Sequence, residues 1–138
     1  MTVLFDTNVV LDVLLDRPPH AEPAVVLFTR VHEGELHGLL GATTLTTIHY
    51  LTQKARGAEV ARQAVADLLA LFDVAPVTRA VLEEALALAA PDFEDAVLAA
   101  AGRAAGAEAV VTRDPAGFRG SALRVYAPSE LEAALQAR

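Results

Sequence analysis

Short runs of purely apolar residues alternate along the chain with longer stretches whose apolar positions recur every three or four residues. Val3–Phe5 is apolar throughout and ends at Asp6, the pattern of a strand buried on both faces. A helix over Val9–Leu15 follows, with Asn8 as its cap and Pro18–Pro19 as its stop. Ala24–Glu33 reads as a second helix, closed by Gly34. Leu39–Ala42 is the next strand, and Thr43 or Thr44 can cap a helix that runs to Ala55, ahead of Gly57. Val60, Ala64, Leu68 and Leu71 mark one face of a helix over Glu59–Phe72. Val74–Val77 reads as a brief strand, Ala80–Ala90 as a helix ended by Pro91, and Phe93–Ala105 as a helix stopped by Gly106. Ala109–Thr112 and Val125–Tyr126 supply the last strands, and Glu130–Gln136, capped by Ser129, the last helix.

Strands that are apolar on both faces and alternate with helices predict an α/β domain: a mainly parallel sheet covered by helices on both sides. No repeat, low-complexity run or linker-like stretch interrupts the pattern, so the 138 residues read as a single domain over 1–138. In such sheets ligands bind beyond the carboxyl ends of the strands, which directs attention to the polar residues just after each one.

Composition narrows the classes. With 54% hydrophobic residues the chain is too apolar for disorder. The uncharged stretch Gly38–Gln53 holds five threonines, a histidine and a glutamine, far from a membrane span. The opening MTVLFDTN has no basic region or small-residue cleavage site of a secretory signal. The absence of cysteine excludes disulfides, thiolate metal sites and cysteine nucleophiles, and fits a cytoplasmic protein. A net charge of −7 disfavours a passive nucleic-acid binder. It does not exclude a nuclease that gathers carboxylates round metal ions.

Those carboxylates stand where the crevice of an α/β sheet is expected. Asp6 follows the first strand directly, and Asp114 follows Ala109–Thr112. Asp95 lies in the first turn of the helix that feeds that strand, and Asp92 caps the same helix in a capping-box-like pair. Converging carboxylates repel one another unless a cation joins them. Hard oxygen ligands suit Mg²⁺ or Mn²⁺, which clamp phosphoryl oxygens and activate water. Glu94 points about 100° round the helix from Asp95 and is read as solvent-facing. Arg17, after the first helix, and Arg113, beside Asp114, are the first candidates for contacts with substrate phosphates.

Three segments carry a resemblance. Leu4-Phe5-Asp6-Thr7-Asn8-Val9-Val10-Leu11-Asp12, Asp92-Phe93-Glu94-Asp95-Ala96, and Val110-Val111-Thr112-Arg113-Asp114 followed by Phe118 resemble, in order and spacing, motifs of the PIN domain. The likeness is to its small VapC-type toxin ribonucleases. It implies a PIN fold, with a central parallel sheet of four or five strands flanked by helices. It implies an Mg²⁺- or Mn²⁺-dependent endoribonuclease that hydrolyses RNA phosphodiester bonds, the toxin of a toxin–antitoxin pair, with a cognate antitoxin and a homodimeric state. By position Asp6, Asp95 and Asp114 would be the catalytic, metal-ligating acids, with Asp92 a fourth. Thr7 and Asn8 would orient the first acid and Thr112 would act near the last.

One position departs from the pattern. The family places an acid in the helix after the second strand, and here Thr47 takes its place. That opens a second reading, a catalytically weak or inactive PIN-like module that acts by binding RNA or protein. Other chemistries fail on spacing. His32-Glu33 and His37 miss the HExxH pattern by one residue, and neither serine sits in GxSxG. His49, in an apolar segment, reads as a packed helix residue.

Overall fold

The structure, a computed structural model, describes residues 1–88 and 90–138. The elements in order are β1 (Thr2–Phe5), α1 (Thr7–Leu14), α2 (Ala21–His32), β2 (His37–Gly41), α3 (Ala42–Arg56), α4 (Ala58–Leu71) and β3 (Asp73–Ala75). They continue with α5 (Arg79–Ala87), α6 (Phe93–Ala104), β4 (Ala109–Val111), a 3₁₀ turn (Pro115–Phe118), β5 (Arg124–Tyr126) and α7 (Pro128–Gln136). The five strands form one sheet in the order β3-β2-β1-β4-β5, and every pairing is parallel.

Side-chain alternation along the central strands sorts the core. Val3 and Phe5 of β1, with Ala109 and Val111 of β4, join a cluster with Val9, Val10, Leu27, Ile48, Leu68 and Leu131. Leu4 and Val110, pointing to the opposite face, pack with Leu98, Ala99, Phe118 and Leu123. Both faces of the sheet are therefore covered, as the unbroken apolar strands require. A third cluster seats α5 on α6 through Val81, Ala85, Val97 and Ala101. Phe5, Phe28 and Phe72 meet edge to face at centroid distances of 5.0–5.8 Å. Gly38 makes room for this triad, because a Cβ there would lie 2.5 Å from the Phe72 ring.

Several helix starts differ from the sequence expectation. Asp6, not Asn8, caps α1, its carboxylate accepting the Thr7 N–H. A carboxylate next to the free N–H groups of a first turn satisfies them better than an amide one residue inside. Gly41 rather than Thr43 or Thr44 precedes α3, and Ala127 rather than Ser129 precedes α7. At α7 the Ala127 N–H donates to Glu130 Oε1 at 2.8 Å, so the glutamate satisfies the turn. The helix expected over Ala80–Ala90 is Arg79–Ala87, and its Ala89 lies outside the described residues. Among the described residues no helix is long and apolar enough to cross a membrane.

Candidate active site where the strand order reverses

From β1 the chain winds toward β2 and β3 on one side, and later returns to build β4 and β5 on the other. The carboxyl ends of β1 and β4 thus flank the crevice where an α/β sheet binds ligands. Phe5 pairs with Val111, and the Asp6 N–H extends the ladder to Val111 O at 3.0 Å. Asp6 and Thr112 leave the sheet side by side.

Asp6 is buried, and each oxygen of its carboxylate accepts one hydrogen bond. Oδ1 accepts the Thr7 N–H at 2.8 Å, and Oδ2 accepts the Thr112 hydroxyl at 2.7 Å. That hydroxyl has one proton, spent on Asp6, so its oxygen is free to accept the Asp114 N–H at 2.9 Å. One buried threonine therefore ties the first acid to the last. Asn8 works one bond further out, its Nδ2 on Thr112 Oγ1 at 3.5 Å and its Oδ1 accepting the Arg113 N–H at 3.3 Å. The Thr7 hydroxyl pairs with Thr44 at 2.9 Å, joining the start of α1 to the start of α3. Thr47 lies further along α3, half-buried and uncharged, and α3 carries no carboxylate at all.

Asp92 caps α6 by accepting the Asp95 N–H at 3.0 Å. The capping turn aims Asp95 at the crevice. Asp6, Asp92, Glu94, Asp95 and Asp114 line one open cleft of about 410 Å³, with Arg17 and Arg113 at its edge. Glu94 is exposed, as expected, but it faces this cleft. Burial pushes the Asp95 carboxyl up to about 6, and the charges of Asp6, Asp92, Asp114 and Glu94 add to the rise. Burial also raises Asp6, opposed by its bonds from Thr112 and Thr7 and reinforced by Asp114 and Glu94. A bare Gly117 completes the wall: a Cβ there would collide with Asp95 Oδ2 and lie 3.7 Å from Asp114 Oδ2.

Among the described residues no three acids stand close enough, as they lie, to close round a single ion. Mg²⁺ does not need such a cage, since it keeps several waters and takes one or two carboxylates. An all-oxygen donor set whose members repel one another across an open cleft suits a hydrated divalent cation.

Asp12, in the middle of α1, enters the sequence reading only as the last residue of the first motif, with no role assigned. It is the most buried acid of the site, with a side chain 1% exposed. Oδ1 accepts Arg17 Nε at 2.9 Å, and Oδ2 accepts Arg113 Nε at 2.6 Å. Arg17 also donates to the Asn8 carbonyl at 3.3 Å. A lone acid inside Val9–Leu15 was the available signal, because a buried carboxylate demands a cation.

The model of the family described as the PIN domain matches residues 2–116. The chain belongs to the PIN-domain family. Solved structures similar to this PIN domain include FitAcB from Neisseria gonorrhoeae, at a TM-score of 0.69 and 20% identity over 92% of this chain and 98% of that one. VapBC2 from Rickettsia felis, bound to a DNA fragment from its promoter, is similar at a TM-score of 0.68 and 13% identity, over 92% and 98% of the two chains. VapC20 of Mycobacterium tuberculosis, a sarcin-ricin loop cleaving toxin, is similar at 0.63 and 19%, over 78% and 86%. At these identities the likeness is one of fold. A search of curated proteins finds no significant match.

Proposed function

We propose that this PIN domain is an Mg²⁺- or Mn²⁺-dependent endoribonuclease and the toxin of a toxin–antitoxin pair. The reading is carried by the gathering of Asp6, Asp95 and Asp114, with Asp92 and Glu94, round one cleft at the reversal of strand order. Asp6, Asp95 and Asp114 would hold the ion, with Asp92 in reserve as a fourth carboxylate. A divalent ion bound there supplies Lewis acidity toward a phosphodiester and toward water.

The chain's own residues prepare that chemistry. The bonds from Thr112 and the Thr7 N–H hold Asp6 in place and oppose the rise that burial imposes on it. Burial is the first cause of the rise of Asp95, and the neighbouring carboxylates add a repulsion that a cation would relieve. Arg17 and Arg113, anchored by Asp12, would take RNA phosphates at the rim of a cleft that otherwise repels them. Among the similar structures, one is a toxin that cleaves the sarcin-ricin loop and another a toxin–antitoxin complex from Klebsiella pneumoniae. Those proteins support RNA as substrate and an antitoxin as partner here, and the family likeness extends the proposal to a homodimer.

The test is cleavage of RNA by the purified protein with Mg²⁺ or Mn²⁺. Activity should vanish on chelation and in Asp6→Asn. One observation favours a second reading, a binding module: α3 brings no acid to the cleft. RNA retention without cation-stimulated cleavage would select that reading and overturn the first.

A further inference from the structure

Arg113 lines two cavities. One is the acidic cleft. The other, an open cavity of about 310 Å³, is lined by His20 and Pro23 at the start of α2, Arg113 after β4, and Ala127, Pro128 and Ser129 at the start of α7. Nothing in the reading above uses it. We infer that this second cavity is a nucleobase pocket, which seats the base of a nucleotide flanking the phosphate held in the acidic cleft. The inference rests on RNA being the substrate.

The chemistry of the walls decides between a base and a phosphate. The start of α7 is a poor anion site: the Ala127 N–H is spent on Glu130, and Pro128 has none to offer. Buried Asp12 holds the Arg113 guanidinium through Nε at 2.6 Å and through a second nitrogen at 3.2 Å. That anchoring gives the cavity a guanidinium wall that keeps its place. Pro23, Ala127 and Pro128 add apolar surface, and His20 adds an imidazole. A ring faced by a guanidinium and an imidazole is how proteins hold the unstacked bases of single-stranded RNA. Ser129 adds a hydroxyl that could meet a base edge. Because Asp12 anchors Arg113 from α1, the shared wall keeps its place whether or not the cleft is filled.

The test uses nucleoside monophosphates with EDTA present, so that neither metal nor cleavage enters. Adenosine and uridine monophosphate are titrated into the intact protein, and the imidazole resonances are followed by NMR, with His20→Ala assigning the His20 signal. At least one of the two should shift His20 saturably and leave His37, at the opposite end of the sheet, in place. Ribose 5-phosphate should leave both in place. In Ser129→Glu, which puts bulk and charge at the mouth, affinity should fall at least fivefold. A shift by ribose 5-phosphate equal to that by the nucleotides, or equal shifts of His20 and His37, or no saturation, would overturn the pocket. Cleavage failing while base binding holds would overturn the nuclease alone. Base binding failing while cleavage holds would overturn the pocket alone.

Discussion

Asp12 and Arg113 stand 101 residues apart in the chain and meet through a 2.6 Å ion pair whose acid is almost wholly buried. The pair pins the loop that carries Asp114 onto α1, and Arg17 shares the same carboxylate. A buried charge left without partners costs about 3–5 kcal/mol, whereas removing the charge as well costs far less. The side chains of Arg17 and Arg113 are 40% and 31% exposed, so water softens their own loss.

From this comes a prediction of sign. Arg17→Ala and Arg113→Ala together should destabilise the fold by more than the sum of the single variants, by about 3 kcal/mol or more. Adding Asp12→Ala to the pair should restore part of the loss. Urea unfolding of the four variants checks it, and additive losses would refute it.

The second prediction concerns pH. Asp95 sits at about 6, above the ordinary carboxylate range, so the folded state holds its proton more tightly than the unfolded state. The stability this contributes is full below the ordinary carboxylate pKa and is lost as pH rises through about 6. The metal-free protein should therefore melt at a lower temperature at pH 7 than at pH 5 by this group's contribution. Asp95→Asn should raise the metal-free melting temperature at pH 7 and flatten that slope. Mn²⁺ should raise the wild-type melting temperature at pH 7 and do much less at pH 5, where protons compete for the same carboxylate. Melting curves with and without Mn²⁺ at both pH values decide it.

Gly117 offers a way to disturb the site without removing an acid. A methyl group there meets Asp95 Oδ2, the end of a side chain that can turn away at little cost to the fold. Gly117→Ala should weaken Mn²⁺ binding about tenfold or more, the effect of about 1.4 kcal/mol, and change the melting temperature little. Calorimetric titration of Mn²⁺ measures it.

Thr112→Val keeps the shape and removes the hydroxyl that serves Asp6 and Asp114 together. It leaves the Asp114 N–H without its acceptor, at a cost of about 1–3 kcal/mol. RNA cleavage should fall with it, and Thr112→Ser should recover both stability and activity.

Thr47 and Asp92 form the last test. If Thr47 takes the place of an acid, Thr47→Asp should tighten Mn²⁺ binding. If Asp92 compensates from α6, Asp92→Asn should abolish binding and Thr47→Asp should rescue it. Calorimetry on the single and double variants separates the two, and indifference to both positions would remove them from the site.

The alternation of apolar runs and helical periods was enough to determine an α/β domain, because a strand buried on both faces must be apolar throughout and its helices must cover it. It also marked Asp6, Asp95 and Asp114, because function collects where such strands end. Motif likeness pointed to the family that the match over residues 2–116 shows. Helix starts were harder to read. Whether Asp6 or Asn8 caps α1 depends on how the chain leaves β1, and a carboxylate adjacent to the free N–H groups wins locally. Asp12 among apolar neighbours signals a buried acid, but its partners were beyond the sequence. Its two arginines come from the turn after α1 and from the loop after β4, and only the folding of β4 beside β1 brings the second of them to that carboxylate. The same holds for Thr112, whose single hydroxyl joins two acids, and for Glu94, which is exposed yet faces the cleft. Spacing along a chain records which face of one element a residue occupies. Partners drawn from different elements are set by packing, which the tertiary structure alone supplies.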